Sequence, residues 1–461
     1  MLVLILVRGK SANYVTTTSN EAQHRVRINV NALPATVKDA IQLCRELDIG
    51  YLWIDALCIH QGDGGIDFNK NSSEMYKIYG RATFTLAVCS SKASGEGFRY
   101  KTNLAARERR SIPKAILAHH LVNVAPKTLR EAKKRDTLDS RGWAFQEERL
   151  SPRILYWTTF GVYWTCLSEC ASEFDDHFAS SGRRSLQLAE SYYEDFSTPH
   201  YQEDANGVAR ISEPDRQWSQ MIEAYSLREF TFIEDRLPAL AGLAKQYSTR
   251  TEDEYVAGHW RSTLPTSLLW VIAHNFRPLG HAMTLSGQLI APSWSWASVP
   301  APAGVIFPRQ YEKPDCTLIS QSIQPLTDNE FGTIQSVSIC LRGRLRPLLK
   351  GEAKIHWPEK ELEDENGDPI FPDTRETVYA LDSNGRRILL SYNVAHPIVI
   401  KTDYEIPIDL KTCFCLEINR CGFLLLERCH NTNQFRRVGC AKWHEERRFF
   451  AESESATVEL V

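Results

Sequence analysis

Strand-like and helix-like patterns alternate along the first 165 residues of the chain. Three short apolar runs, at residues 1–7, 51–57 and 83–89, each predict a buried β-strand. The segments between them carry apolar residues at helical spacing: Val37, Ala40, Ile41, Cys44 and Leu47 after a helix start at Pro34, and Met75, Ile78, Tyr79 and Ala82 after a cap at Ser72 or Ser73. Strands and helices in strict alternation predict an α/β domain with a parallel sheet and helices on its faces.

The rest of the chain changes pattern twice. Residues 154–158 and 162–166 predict a hairpin of aromatic strands, and the charged run 130–135 before it is typical of a solvated face. Apolar residues return at helical spacing over 218–247, and short strand-like runs with frequent Pro and Gly follow from residue 290 onward. We therefore predict four regions: an α/β domain at 1–165, a polar excursion or linker at 166–210, a mainly helical region at 211–300, and a β-rich region of unassigned role at 301–461.

Composition narrows the class of protein. The 461 residues are 43% hydrophobic and 24% charged, as in ordinary globular proteins. Lys and Arg total 54 and Asp and Glu total 57, giving a net charge of −3, so the basic footprint of a nucleic-acid binder is missing and none is expected as a partner. No run approaches the roughly 20 apolar residues of a membrane helix, so no membrane span is expected.

The 12 cysteines are scattered and include no C-x-x-C pair. Cys413 and Cys415 lie two residues apart within an apolar run, which favours buried structural cysteines over a zinc site. We expect no metal, and a reducing, cytoplasmic location. The phosphate-binding, dinucleotide-binding, zinc-protease and nucleophile-elbow motifs are also absent from the sequence, so no motif indicates a cofactor.

Two polar groups are candidates for a site. Asp55 follows Trp53 near the carboxyl end of a predicted parallel strand, where α/β sheets bind ligands, and His60 and Gln61 share the loop that follows. The second group is the segment 141–153, which brings Arg141, Trp143, Gln146 and Glu147 close together in sequence. Such residues build either a rigid polar network or a ligand clamp, and the sequence leaves both open.

Three ordered blocks in the chain resemble those of the fungal heterokaryon incompatibility (HET) domain family. They are YLWIDALCIHQ at 51–61, MYKIYGRA at 75–82 leading into a strand, and SRGWAFQEERLSPR at 140–153. The resemblance covers roughly residues 10–153. Where many family members have Glu or Gln, about one turn before the helix Met, this chain has Asn71, and its nearest acid is Glu74.

This resemblance implies a role in fungal non-self recognition and regulated cell death, with the α/β domain as effector and an unidentified protein as trigger. It also implies a TIR-like, flavodoxin-like fold. Some TIR domains cleave NAD with a helix glutamate, which makes NAD a candidate substrate and Asp55 and Glu74 the candidate catalytic acids. The alternative is a non-catalytic module that signals by self-association.

Overall fold

The computed structural model describes twenty stretches of the chain. They are residues 1–6, 14–63, 66–72, 74–99, 129–133, 137–173, 201–203, 209–211, 213–272, 290–308, 313–347, 362–363, 369–370, 377–381, 387–391, 413–419, 422–429, 432–442, 450 and 453–461. They fall into two compact units. The first unit comprises Met1–Phe196, Arg228–Thr251 and Thr327–Gly332, and the second comprises Ser197–Leu227, Glu252–Leu326 and Thr333–Val461. The four consecutive regions stay a prediction.

A six-stranded sheet forms the centre of the first unit. Its strands are β1 (Leu2–Ile5), β2 (Leu52–Trp53), β3 (Phe84–Val88), β4 (Arg153–Trp157), β5 (Val162–Cys166) and β6 (Cys170–Ser172), in the order β2-β1-β3-β4-β5-β6. The first four strands are parallel, and β4, β5 and β6 pair antiparallel. The predicted α/β class, the parallel strands and the aromatic hairpin β4–β5 are therefore confirmed.

Helices connect these strands. The first unit contains α1 (Glu21–Val26), α2 (Ala35–Glu46), α3 (Asp55–Cys58), α4 (Ile66–Ser72), α5 (Met75–Gly80), α6 (Leu129–Lys133) and α7 (Gly142–Leu150). Helix α2 begins directly after Pro34, as predicted, because proline is tolerated at a helix start. Its apolar stripe packs with Leu2, Leu4, Leu86 and Val88 in one core cluster. Side chains of a strand alternate between faces, so this cluster covers only one face of the sheet.

Contacts of α5 and α7 lie on the opposite face. Trp53 points away from the α2 cluster, and its ring meets Tyr79 of α5 edge-on at a centroid distance of 5.7 Å. The Thr85 hydroxyl of β3 lies 2.7 Å from the Ser151 hydroxyl, directly after α7. Both faces of the parallel strands are thus covered, which explains why β1 is buried along its whole length.

Two local predictions are wrong. The strand expected over 51–57 ends at Trp53, and α3 begins at Asp55 because the Asp55 carboxylate accepts the Ala56 N–H at 2.7 Å and favours a helix start. Ser72 does not cap the next helix, since it ends α4 and its hydroxyl accepts a hydrogen bond from Asn329 at 2.9 Å. Residue 74 precedes α5 instead, and Ser73 lies outside the described residues.

The predicted helical block over 218–247 divides between the two units. Helix α8 (Glu213–Tyr225) belongs to the second unit, and α9 (Ala241–Thr251) belongs to the first. Among the described residues, no helix is long and apolar enough to cross a membrane.

The second unit is built on a sheet that closes on itself. Its short strands are β7 (Tyr201–Glu203), β8 (Ala209–Ile211), β9 (Tyr255–Val256), β10 (His259–Trp260), β11 (Val271–Ile272), β12 (Val305–Ile306), β15 (Leu362–Glu363), β16 (Pro369–Ile370), β17 (Thr377–Leu381) and β18 (Arg387–Ser391). The main sheet has the order β13 (Thr317–Pro325), β14 (Ile334–Pro347), β19 (Cys413–Asn419), β20 (Gly422–Arg428), β21 (Gln434–Lys442) and β22 (Ser455–Leu460). Because β22 also pairs with β14, the strands form a barrel-like region, and its core includes Leu341, Ile418, Leu424 and Val458.

The predicted β-rich character of the carboxyl-terminal part is therefore confirmed. Cys415 and Cys440 are buried in this region, as structural cysteines would be. The apolar runs at 116–124 and 398–400, which the sequence also predicts as strands, lie outside the described residues.

Candidate functional site

The carboxyl edge of the four parallel strands is the candidate site. The chain runs from β1 to β2 on one side and then crosses to β3 on the other, so the strand order reverses between β1 and β3. Open α/β sheets bind ligands outside the carboxyl ends of their strands at such a reversal. Leu6 follows β1, Asp55 comes shortly after β2, and Cys89 and Thr158 follow β3 and β4.

Asp55 stands at this edge as the first residue of α3. Its side chain is half-buried, and one carboxylate oxygen accepts the Ala56 N–H at 2.7 Å. Trp53 lies two residues earlier, within β2, and packs on α5 through Tyr79. The sheet therefore holds a carboxylate and an aromatic ring close together in the chain at the end of one strand.

His60 lies in an acidic part of the following loop. Its ring nitrogens are 4.0 Å from a Glu21 oxygen and 3.9 Å from an Asp63 oxygen, and its backbone N–H donates to Asp67 at 2.9 Å. The Nδ1 atom is buried and has no hydrogen-bond partner within the described part of the chain. The loop thus places a half-buried imidazole among carboxylates.

Gln61 holds this loop in place. Its backbone N–H donates to the Thr16 carbonyl at 2.7 Å, and its side-chain amide donates to the Ile59 carbonyl at 3.0 Å. Across the described residues, no group of three or more His, Cys, Asp or Glu is arranged to hold a metal ion.

Glu74 is placed differently from Asp55. It precedes α5, its side chain is 42% exposed, and it forms an ion pair with Lys77, whose pKa the hydrogen bond to Glu74 raises. Asn71 donates to the Asp67 backbone and side-chain oxygens at 2.7 and 2.9 Å. This amide therefore fixes α4 internally.

Arg141 is connected to the carboxyl edge directly. Its guanidinium donates to the Leu6 carbonyl at 2.7 Å, at the end of β1. The residue stands just before α7 and forms a parallel bridge with Glu229, and the next N–H, from Gly142, donates to the Glu229 carbonyl at 2.9 Å. Arg141 therefore ties the end of the central strand to α7 and the 228–251 segment.

Trp143 and Gln146 make their contacts away from that edge. The Trp143 indole donates to Asp235 at 2.9 Å, and burial raises the pKa of this carboxyl even though the indole bond lowers it. Gln146 is fully buried, and its carbonyl oxygen accepts the N–H groups of Gly242 and Leu243 at 2.7 and 3.3 Å. Gln146 thus caps the amino-terminal end of α9 from another helix.

Gly242 shows how closely these helices approach. A Cβ at this position would lie 3.0 Å from the Gln146 oxygen and 3.2 Å from a Leu150 methyl carbon. The Gln146 amide nitrogen also lies 3.9 Å from the Met75 sulfur, which links α7 to α5. Glu147 is half-buried, and its backbone carbonyl accepts the Ser151 hydroxyl at 2.7 Å.

Sequence reasoning missed a buried charge cluster beside the sheet. Lys133 of α6 lies 2.7 Å from Glu148 and 3.1 Å from Asp139, and its ammonium stands 4.9 Å from the Tyr156 ring centroid. Burial lowers the pKa of Lys133, but the nearby carboxylates raise it by more, so the net shift of the pKa is upward. Arg228 adds a second cation at 3.4 Å from Asp139.

The solvated face predicted for residues 130–135 is therefore wrong at Lys133, whose side chain is only 12% exposed, and at the buried Ala132. The physical reason is that its carboxylate partners come from residues 139 and 148, which a local pattern of charges does not reveal.

The sheet and its carboxyl edge define a mixed α/β domain in which one loop and Arg141 meet the ends of the central strands. The family model described as Heterokaryon incompatibility protein (HET) matches residues 7–147. The match shows a HET domain in the first third of the chain. No curated protein and no solved structure gave a significant match to the chain.

Proposed function

We propose that this protein acts in heterokaryon incompatibility in a fungal cell, with the HET domain as the effector of regulated cell death. The family match over residues 7–147 carries the proposal, because it spans β2, β3, Asp55 and Arg141, which contribute to the carboxyl edge. The protein acts in the cytoplasm and responds to an unidentified protein trigger or to self-association.

We assign the HET domain a TIR-like, flavodoxin-like fold within this proposal. Support comes from the parallel order β2-β1-β3-β4, which is the order of the flavodoxin type, with its ligand edge at the reversal between β1 and β3. Likeness of fold sets an expectation and does not establish the chemistry.

Regulated expression of the full chain in a fungal host tests the effector role. We expect growth arrest on induction. Gly142→Ala is the matched fold-breaking control, since a Cβ at Gly142 would overlap the Phe230 ring. This variant should lose both folding and toxicity, and normal growth with abundant, folded wild-type protein would refute the proposal.

A second candidate function is NAD glycohydrolysis at the same edge. Asp55 favours it, because a half-buried carboxylate beside the reversal point could stabilise the positive charge that develops on the ribose. In this reaction water bonds to ribose C1′, the bond from C1′ to the nicotinamide nitrogen breaks, and nicotinamide leaves with the electron pair as a proton is released. Glu74 is the second acid in this scheme.

Nicotinamide release separates the two candidates. The purified full chain is incubated with NAD and the products are followed by chromatography, alongside Asp55→Asn and Glu74→Gln. If the Asp55→Asn variant stays folded but no longer releases nicotinamide, the result supports catalysis. Toxicity without release, combined with a change in mass by light scattering, supports the self-association module.

A further inference from the structure

Arg437 of β21 is a fully buried cation in the second unit. Its Nε atom donates to the Leu268 carbonyl at 3.1 Å and one terminal nitrogen, Nη2, donates to the Trp270 carbonyl at 2.5 Å. The guanidinium carbon lies 3.7 Å from the Trp270 ring centroid. These contacts hold the planar group in one orientation, and its other terminal nitrogen, Nη1, has no hydrogen-bond partner among the described residues.

No carboxylate among the described residues balances the charge of this guanidinium, and the polar side chain beside it is that of Cys440. Arg437 forms no ion pair with a carboxylate in the described part of the chain, and its Nη1 atom is buried without a hydrogen-bond partner there. Burial lowers the pKa of Arg437 to about 10, so the group stays protonated at neutral pH. A buried, unpaired charge is costly enough that proteins rarely keep one without a counter-ion.

Two more buried polar atoms, one in Trp294 and one in His259, lack a hydrogen-bond partner among the described residues. Trp294 is fully buried, and its indole N–H has no acceptor among the described residues. The His259 ring centroid lies 5.9 Å from that of Trp294, and its Nδ1 atom is 3.0 Å from the Ser267 hydroxyl, while its Nε2 atom has no partner in the described stretches. Trp294 is connected to Trp270, the ring beside Arg437, because the Trp270 indole donates to the Trp294 carbonyl at 2.9 Å.

The chemistry of these atoms selects the ligand. Native proteins satisfy nearly all buried polar groups, so several unsatisfied ones in one cluster indicate a bound water or ion. A water molecule could accept from Nη1 or from the indole, but it would leave the positive charge unbalanced. A monovalent anion accepts both N–H groups and balances the charge, whereas a divalent anion would bury an excess negative charge.

We propose that Arg437, Trp294 and His259 of the second unit form a buried binding site for one small monovalent anion. The site lies outside the HET domain and is independent of the function proposed for that domain. Its ligand is a halide-sized ion or the carboxylate of a very small acid, because the surrounding tryptophan side chains are fully buried.

Thermal unfolding of the full chain in different sodium salts at equal ionic strength tests the site. Chloride and formate are the two candidate anions, and gluconate is a carboxylate too large to enter. We expect a saturable rise in Tm of about 2–4 °C in chloride, in formate or in both, relative to gluconate. A rise confined to formate identifies a carboxylate site, and a rise confined to chloride identifies a halide site.

Two Trp→Phe variants provide the matched comparison. Trp294→Phe removes an indole N–H that has no acceptor among the described residues, and should raise the anion concentration at half-saturation by about tenfold. Trp296→Phe is the control, because the Trp296 indole already donates to the Gly258 carbonyl at 2.9 Å. It should lower Tm in every salt while keeping the anion dependence. Arg437→Met is less informative, since it also breaks the bonds to Leu268 and Trp270.

Bromide provides a direct readout. Anomalous diffraction from crystals grown in bromide should place an ion within hydrogen-bonding distance of Arg437 Nη1. A Tm that is the same in chloride, formate and gluconate, or an anion response that Trp294→Phe leaves unchanged, would overturn the proposal.

Discussion

Gln146 offers the sharpest test of whether the segment 141–147 serves structure or ligand binding. Gln146→Leu keeps the approximate volume of the side chain but removes the oxygen that accepts the Gly242 and Leu243 N–H groups. Both N–H groups belong to the first turn of α9, and residue 146 is fully buried, so water does not replace the lost acceptor.

The magnitude follows from the two distances. A buried donor left without its acceptor costs about 1–3 kcal/mol. The bond to Gly242 at 2.7 Å should contribute most of such a cost, and the bond to Leu243 at 3.3 Å should contribute less. We therefore expect Gln146→Leu to lower the free energy of unfolding by about 2–4 kcal/mol.

Urea unfolding of the full chain measures this loss, and hydrogen exchange at residues 242 and 243 reports it locally. The matched control is Gln42→Leu on α2, where the exposed side chain donates to Glu46 at 3.1 Å. This control should change stability by less than about 0.5 kcal/mol. If Gln146→Leu also loses less than about 0.5 kcal/mol of stability and amide protection is unchanged, the capping role is refuted and the ligand-clamp alternative is favoured.

Two further predictions concern buried ionisable side chains. Lys133→Met leaves Glu148 buried without its cation and should lower the free energy of unfolding in urea by about 3–5 kcal/mol. Adding Glu148→Met should recover part of that loss. A Lys133→Met variant as stable as wild type would contradict the buried cluster. For His259, burial and the nearby Arg437 charge lower the folded-state pKa to about 3, below the unfolded value of about 6.5, so its contribution to stability is complete above pH 6.5 and is lost as the pH falls toward 3. His259→Gln should flatten the pH dependence of Tm across that window, and an unchanged pH profile would count against a neutral buried imidazole.

Local patterns predicted the elements whose stability depends on neighbours in sequence. The apolar run of β1 and the stripe Val37, Ala40 and Cys44 of α2 became a buried strand and a core-facing helix. The closed sheet of the second unit could not be predicted in this way, because its closure depends on β22 pairing with β14 more than 100 residues earlier.

The residues of the candidate site also differ in whether their roles depend on neighbours in sequence. Asp55 could be located from its position near the carboxyl end of an apolar run, although the helix start at that residue was not predicted. The roles of Gln146, Lys133 and Ser72 depended on partners distant in the chain: Gly242, Glu148 and Asn329. A sequence pattern identifies such residues as unusual, but only the folded chain shows what each one bonds to.

The most direct test of the central claim, that the carboxyl edge of the HET domain carries the effector function, is a charge removal at Asp55. Asp55→Asn keeps an oxygen for the Ala56 N–H and removes the negative charge. Asp48→Asn is the matched control, an exposed acid at φ 54, a conformation that asparagine adopts readily. Induced in a fungal host at equal folded levels, wild type and Asp48→Asn should arrest growth while Asp55→Asn should not. Arrest by Asp55→Asn as complete as that by wild type would contradict the assignment of the site to this edge.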